Sequence, residues 1–318
     1  MTLVGEANLD LLLYGLAAEL PPDRELVANS MALTLGGSPA ITAHNLAALG
    51  SQTGFVTLAS DDLFGTMCQR DLAAAGVDLS RVVRKTGAAA TGVSVLLQHP
   101  CARRTLTYPG NTTDLKWEDL DLQYLTNSKH FHLSSYFLQA GLRRDVPRLF
   151  ADLKRAGLTI SVDPNDDPQG HWDDSFFEIL TFVDVLMPNE REVCEMMREP
   201  DADRAMRKLA NLVPLVVVKR GVRGAVAING DQTFCSPSVN VETVDAVGAG
   251  DSFNAGFLHG WVRGWPLDRC LRFGNLTGAY STTAVGGVEA FQDRNRLKRF
   301  ISDHLGVDTP ASLLDATS

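Results

Sequence analysis

Short apolar runs rich in Val, Ile and Leu alternate along most of this chain with amphipathic stretches of helical period. Runs of strand type fall at 54–58, 158–162, 183–187 and 215–218. Helix-like segments fall at 39–49, 63–75, 142–156, 190–197 and 203–212. Strands that are apolar throughout need cover on both faces, and strands separated by helices pair in parallel. The pattern therefore predicts an α/β body with a mostly parallel sheet between helical layers.

Two regions break the rhythm. Residues 11–35 carry apolar pairs around Pro21 and Pro22, and 91–110 reads as strands 93–98 and 105–108 joined by a polar turn at 99–104. Both look like antiparallel ribbons, so a small β-subdomain is expected beside the main body. The organisation expected is one domain over 1–306, with a lid from about 11–35 and 91–110, and a polar tail at 307–318.

The chain of 318 residues is 45% hydrophobic and 21% charged, enough to bury a sizeable core and too apolar for a disordered chain. Its longest aliphatic stretch, 212–218, is far short of the roughly 20 residues of a membrane helix. No targeting segment is visible, and a cytoplasmic location is expected. The formal charge of −9 lacks the basic footprint of a nucleic-acid binder. Five scattered cysteines, Cys68, Cys101, Cys194, Cys235 and Cys270, form no C-x-x-C pair and read as reduced packing thiols.

The densest chemistry lies at 244–256, where an extended-looking segment (238–244) runs into Gly248-Ala249-Gly250-Asp251 and a helical repeat of Phe253, Phe257, Leu258 and Trp261. Amides at a helix N-terminus form an anion site, and small residues let a phosphate reach the backbone. A valine at 250 is expected to crowd that nest and to resist glycine-like dihedrals. Asp251 reads either as an N-cap or as a base beside the phosphate, the pairing that phosphoryl transfer to an alcohol needs. Upstream, Gly36-Gly37-Ser38-Pro39 opens an Ala-rich helix as a turn that can closely approach a ligand. No Walker P-loop is present.

These motifs occur in a fixed order: 5–10 (Gly-Glu-Ala-Asn-Leu-Asp), Gly36-Gly37, the paired lid segments, Asp163-Pro164-Asn165, Asn189-x-x-Glu192, Lys219-x-Gly221-x-x-Gly224 and Asp245 to Asp251. In that order the chain resembles the ribokinase-like (PfkB) family of carbohydrate kinases over essentially its whole length. The resemblance implies a ribokinase-like three-layer fold with a small β-sheet lid, and ATP and Mg2+ as cofactors. By its motifs Asp251 is the base and Gly248, Ala249 and Gly250 the anion hole. Asp10, Gly36 and Gly37 match the positions that hold sugar hydroxyls, although Asp10 alone also reads as a solvated turn acid. Asn189 and Glu192 match the motif that organises Mg2+ and its waters on the nucleotide side. They also carry capping-box spacing, and both readings can hold together. Lys219, Gly221 and Gly224 match the nucleotide loop, Asn275 the adenine pocket, and Asp245 the monovalent-cation region, with K+ as the ion.

Three departures bear on the substrate. Ile41 stands where the family usually has Asn, and Asn45, one turn further along the helix, is expected to supply the amide to the substrate. Asp167 stands where sugar-acid kinases often carry Arg, which argues for a neutral substrate. Arg103 and Arg104 read as a solvated hairpin turn, the alternative being a lid arginine. His130 and His132 point to one face of a strand and read as structural or as polar lining of the cleft. The expected function is ATP-dependent transfer of a phosphoryl group to a hydroxyl, a primary one, of a neutral sugar or sugar-like alcohol. A nucleoside kinase is the alternative, and a non-catalytic sugar- or nucleotide-binding relative is the rival from another class. The expected assembly is a homodimer through the lids, with no nucleic-acid or membrane partner.

Overall fold

The computed structural model describes all residues except 18, 20, 86, 88, 100–102 and 306–318. Cys101, part of the turn at 99–104 and the tail at 307–318 lie outside the described residues. The strands in chain order are β1 (Thr2–Val4), β2 (Asn8–Tyr14), β3 (Ser30–Gly36), β4 (Gly54–Val56), β5 (Val93–Gln98) and β6 (Arg103–Tyr108). They continue with β7 (His130–Ser134), β8 (Thr159–Asp163), β9 (Val185–Leu186), β10 (Leu215–Lys219), β11 (Ala225–Asn229) and β12 (Gln232–Ser236).

Eight strands form the central sheet in the order β12-β11-β10-β9-β8-β7-β1-β4. It is parallel from β10 to β4, and only β11 and β12 are antiparallel. Alternate residues feed two separate cores. Leu3, Phe55, Val217 and Ala227 pack with the helices Ser38–Ala48, Ala249–Trp261 and Leu267–Ser281. Val4, Val56, Phe131, Val162 and Val218 pack on the other face with the helices Val146–Arg155 and Ala202–Leu209. Burial on both faces is why these strands read as continuous apolar runs.

The lid is a separate four-stranded sheet, β3-β2-β5-β6. Each ribbon is antiparallel, as expected, and parallel pairing of β2 with β5 joins the two. The lid strands extend three residues earlier and one later than the expected 11–35, so Asp10 and Gly36 belong to the lid itself.

Residues 238–244, read as extended, form no strand, so the turn at Gly248 follows an irregular segment. His130 and His132 are fully buried: each ring nitrogen meets a hydroxyl of Thr159, Ser161 or Ser134 at 2.7–2.9 Å. They are structural, and burial holds both imidazoles neutral, His132 near 4. Among the described residues no helix is long and apolar enough to cross a membrane, and Cys68, Cys194, Cys235 and Cys270 are free thiols.

Candidate functional site

The ends of β8 and β10, the turn before Ala249, and the lid strands β2 and β3 converge on one cleft. Gly248 caps the helix Ala249–Trp261 in the left-handed region (φ 72). A Cβ there would lie 2.4 Å from Gly287 Cα, so only glycine fits on both counts. The helix makes its first i−4 bond from Ser252 N to Gly248 O at 2.9 Å. The amides of Gly250 and Asp251 therefore have no intrahelical acceptor and remain for an anion, while Ala249 N bonds Ala246 O at 3.3 Å. Gly250 does not need glycine dihedrals, contrary to expectation. What it contributes is room, since an added Cβ would stand 3.7 Å from Lys219 Nζ.

Asp251 is the third residue of the helix and does not cap it. Its Oδ1 accepts a short hydrogen bond from Ser38 Oγ, and its Oδ2 has no partner among the described residues. Burial raises its pKa to about 7; Ser38 and Lys219 oppose the shift, and Asp163 and Asp10 add to it. A carboxyl poised near neutrality next to open amides suits a general base.

Lys219, at the end of β10, donates a short bond to Asp163 Oδ2 at the end of β8 and lies 3.4 Å from Asn254 Oδ1. Although burial works against its charge, Asp163 and Glu192 keep Lys219 protonated. Asn189 and Glu192 form a complete capping box: Asn189 Oδ1 accepts from Glu192 N at 3.0 Å, and the Glu192 carboxylate accepts from Asn189 N at 2.9 Å and from its amide. Burial and the neighbouring Asp163 charge push Glu192 up to about 7. A divalent cation would relieve that pair. Among the described residues no three His, Cys, Asp or Glu side chains converge on one point; the Glu192 and Asp163 carboxylates are oxygen donors of the kind Mg2+ takes together with water and substrate phosphates.

Gly221 and Gly224 bound the tight connection from β10 to β11, closed by Arg220 N to Gly224 O at 2.8 Å. Asn275 lies beside it, and its Nδ2 donates to Ser236 O at 2.9 Å and Pro237 O at 3.1 Å. Both amide hydrogens therefore brace the segment after β12.

On the substrate side, the Asp10 carboxylate lies directly over Gly36, where a Cβ would meet Oδ1 at 2.2 Å. Asp10 is buried and raised to about 7 by burial, with Arg103 opposing and Asp245 adding to the shift. Gly37 follows at the helix start. Arg103 begins β6 on the lid face that carries Asp10 and is not confined to a turn.

Three expectations fail here. Asn45 is fully buried, and its amide hydrogens go to Ser252 Oγ at 2.9 Å and Gly287 O at 3.0 Å. It fastens two helices and has no donor left for a substrate. Asp167 uses its carboxylate on the amides of Gln169, His171 and Trp172 in its own loop, so it says nothing about substrate charge. Asp245 accepts from Tyr14 OH (2.9 Å), Gly286 N (3.0 Å), Val247 N (3.1 Å) and Gln98 Nε2 (3.4 Å). A carboxylate offers about four acceptor positions. With all of them filled, the Asp245 side chain does not fit as a K+ ligand; it ties the lid to the body.

Sequence reasoning passed over Ser38, Asn254, Glu6 and the role of Asp163. Asn254 was findable, one helical turn after Asp251. Glu6, buried and raised to about 8 by burial, accepts from Gln139 beneath Gly37 and gave no local signal.

The chain is similar to known proteins over nearly its whole length. The profile of the pfkB family carbohydrate kinases matches residues 1–294. The chain is 31% identical over 270 residues to an ATP-dependent ribose-1-phosphate kinase of Halopiger xanaduensis, covering 84% of this chain and 87% of that one. It is 27% identical over 285 residues to a 5-dehydro-2-deoxygluconokinase of Geobacillus kaustophilus, covering 85% of each. A candidate ribokinase II from E. coli, solved with ATP and Mg2+, superposes with a TM-score of 0.82 at 26% identity, covering 95% of this chain and 99% of that one. With the fold and a profile match over residues 1–294, the chain belongs to the pfkB family of carbohydrate kinases.

Proposed function

We propose that the protein transfers the γ-phosphoryl group of ATP to a primary hydroxyl of a sugar or sugar-like alcohol. The observation that carries this is Asp251, a half-buried carboxyl raised to about 7 whose Oδ2 has no partner among the described residues, one residue from the open amide of Gly250. In this reading Asp251 takes the hydroxyl proton, while the open amides of Gly250 and Asp251 and the Lys219 ammonium stabilise the charge on the transferring group; the Ala249 amide, expected in the anion hole, is held by Ala246 O. Asp10, with the backbone at Gly36 and Gly37, orients the acceptor. Asn189 and Glu192 hold Mg2+ through water, and the ion, when bound, neutralises the phosphates. Lys219, Gly221 and Gly224 face the nucleotide, with Asn275 supporting its pocket. An ATP-dependent role fits a cytoplasmic location.

Two points bear on the substrate. With Asp167 committed to its own loop, nothing there opposes a phosphate or carboxylate on the sugar. Ile41 packs against Gly287 in the core, so its apolar side chain offers no reason to favour a base-bearing ligand over a sugar. The lid face opposite the cleft is apolar: Met31, Leu106 and Tyr108 are 63%, 61% and 55% exposed, and register places them on one face with Leu11 and Leu13. A second copy covering that face makes a homodimer, and a concentration-independent monomer in light scattering removes this part of the reading.

The test is coupled ATP turnover over ribose, ribose 1-phosphate, fructose 6-phosphate, 2-dehydro-3-deoxygluconate, 5-dehydro-2-deoxygluconate and adenosine. Thermal shift is read on the same plates, with Asp251→Asn as control. Turnover with a sugar that falls at least about 10²-fold in Asp251→Asn, ATP binding being retained, is expected. Thermal shifts without turnover would make the protein a binder.

A further inference from the structure

Asp251 has one side-chain hydrogen bond, and the donor belongs to the substrate turn, 213 residues away in sequence. Ser38 follows Gly37 as the first residue of the helix Ser38–Ala48. Its hydroxyl caps nothing: it reaches Asp251 Oδ1 and, at 3.3 Å, Asn165 Oδ1. Asn165 stands just after β8 in the left-handed region (φ 55), and its Oδ1 also accepts from Ser135 N at 3.2 Å. That second bond fixes the amide oxygen as an acceptor aimed at Ser38.

A hydroxyl has one proton to give and lone pairs to receive. With Asp251 ionised, the Ser38 proton belongs to the carboxylate. With Asp251 protonated on Oδ2, Oδ1 is the carbonyl oxygen of the acid and still accepts from Ser38, with Asn165 Oδ1 at 3.3 Å as a second acceptor for the same proton. Both protonation states of the base are thus hydrogen-bonded without breaking any bond in Ser38.

We propose that Ser38 is the positioning residue of the base. It holds Oδ1 of Asp251 in both protonation states and leaves Oδ2 to take the proton when the substrate O–H breaks and its oxygen bonds to phosphorus. The inference rests on the phosphoryl-transfer reading above. Because Ser38 adjoins Gly37, a sugar seated on the substrate turn also aligns the base, which makes the effect one of geometry.

The hydrogen bond favours the charged carboxylate and opposes burial, so its loss raises the Asp251 pKa further. The other charged groups that act on Asp251 are Asp163 and Lys219 at the strand ends, Asp10 in the lid and Glu6 after β1. None of them is altered by a change at Ser38.

The experiment is steady-state kinetics against pH for Ser38→Ala and Ser38→Thr, on the panel compound with the highest wild-type turnover, beside Asp251→Asn. Ser38→Ala is expected to lower kcat about tenfold or more, within the range of a misplaced catalytic group. The ATP KM should stay within about twofold, and the acid limb of the rate profile should move to higher pH. Ser38→Thr, which keeps the hydroxyl, should restore both rate and limb. Wild-type kcat with an unmoved limb in Ser38→Ala overturns the proposal. So does an equal loss in both variants without a limb shift, since that is a packing defect. If Ser38→Ala does not fold, Ser38→Cys gives the same comparison through a weak donor. Activity surviving in Asp251→Asn would instead overturn the phosphoryl-transfer reading.

Discussion

The turn at Gly248 to Asp251 and the four-stranded lid face each other across the cleft, and they are held in different ways. The turn is wedged: Gly248 lies against the Gly287 backbone, and its helix sinks Phe253, Phe257 and Leu258 into the main core. The lid is fastened at points. Tyr14 and Gln98 reach Asp245, Thr34 Oγ1 reaches Glu289 at 3.2 Å, and Leu12 and Leu96 meet Val247 in a small cluster of their own. Strand β6 is exposed along its whole length. Dense burial fixes the turn, whereas among the described residues the lid buries only Leu9 and Leu35 in the main core and its outer strands can shift more readily. Asp245 is the joint, because it binds the lid through Tyr14 and the catalytic loop through Val247 N.

The harshest test of the wedge is Gly248→Ala, which forces a side chain into the left-handed region and against Gly287. It should cost about 1–3 kcal/mol of stability by denaturant unfolding and lower turnover by about 10²–10³ through the displaced amides. Gly250→Ala should fold normally and act mainly on ATP use. If both variants behave alike, the turn is not wedged at Gly248.

The pH response separates activity from stability. Asp251 is raised to about 7, so kcat/KM should climb about tenfold per pH unit below that value, as the base must be ionised. Asp10 and Glu6 are raised to about 7 and about 8. Each buried carboxyl binds protons more tightly folded than unfolded, so its contribution to stability is present at low pH and is lost as pH rises through its folded value. Between about pH 5 and 7 activity should therefore rise while unfolding free energy falls. Parallel rise of both would contradict the burial assigned to these groups.

Asn45→Ala should remove about 1–3 kcal/mol of stability, the cost of stranding the Gly287 carbonyl and the Ser252 hydroxyl, with the order of substrates unchanged. A changed substrate order would return Asn45 to the cleft. The smallest effect belongs to the joint. Tyr14→Phe should raise the sugar KM a few-fold, equivalent to about 0.5–1.5 kcal/mol, and leave core stability near wild type. A large loss of stability would mean that lid and body unfold together.

The body was legible because its strands are buried on both faces and its helices carry regular periods, both local properties. The turn at Gly248 to Asp251 was legible because contiguous small residues directly precede a helical repeat. Asn45 was misread for a definite reason. Every residue of the helix Ser38–Ala48 is buried, so its periodicity distinguishes no cleft face from a core face. Asp167 and Asp245 were misread because a carboxylate looks the same in sequence whether it serves a ligand or its own backbone.

Sequence alone determined the alternating α/β body, the glycine turn with its aspartate, and the capping box of Asn189 and Glu192, each set by residues a few positions apart. Only the tertiary structure decided that Ser38 holds Asp251, that Lys219 pairs with Asp163, and that Tyr14 reaches Asp245 across 231 residues. Those contacts depend on strand order and on how the lid closes over the sheet. Hydrogen bonds between distant segments form only where packing brings the two groups within about 3 Å, and no local pattern records that distance.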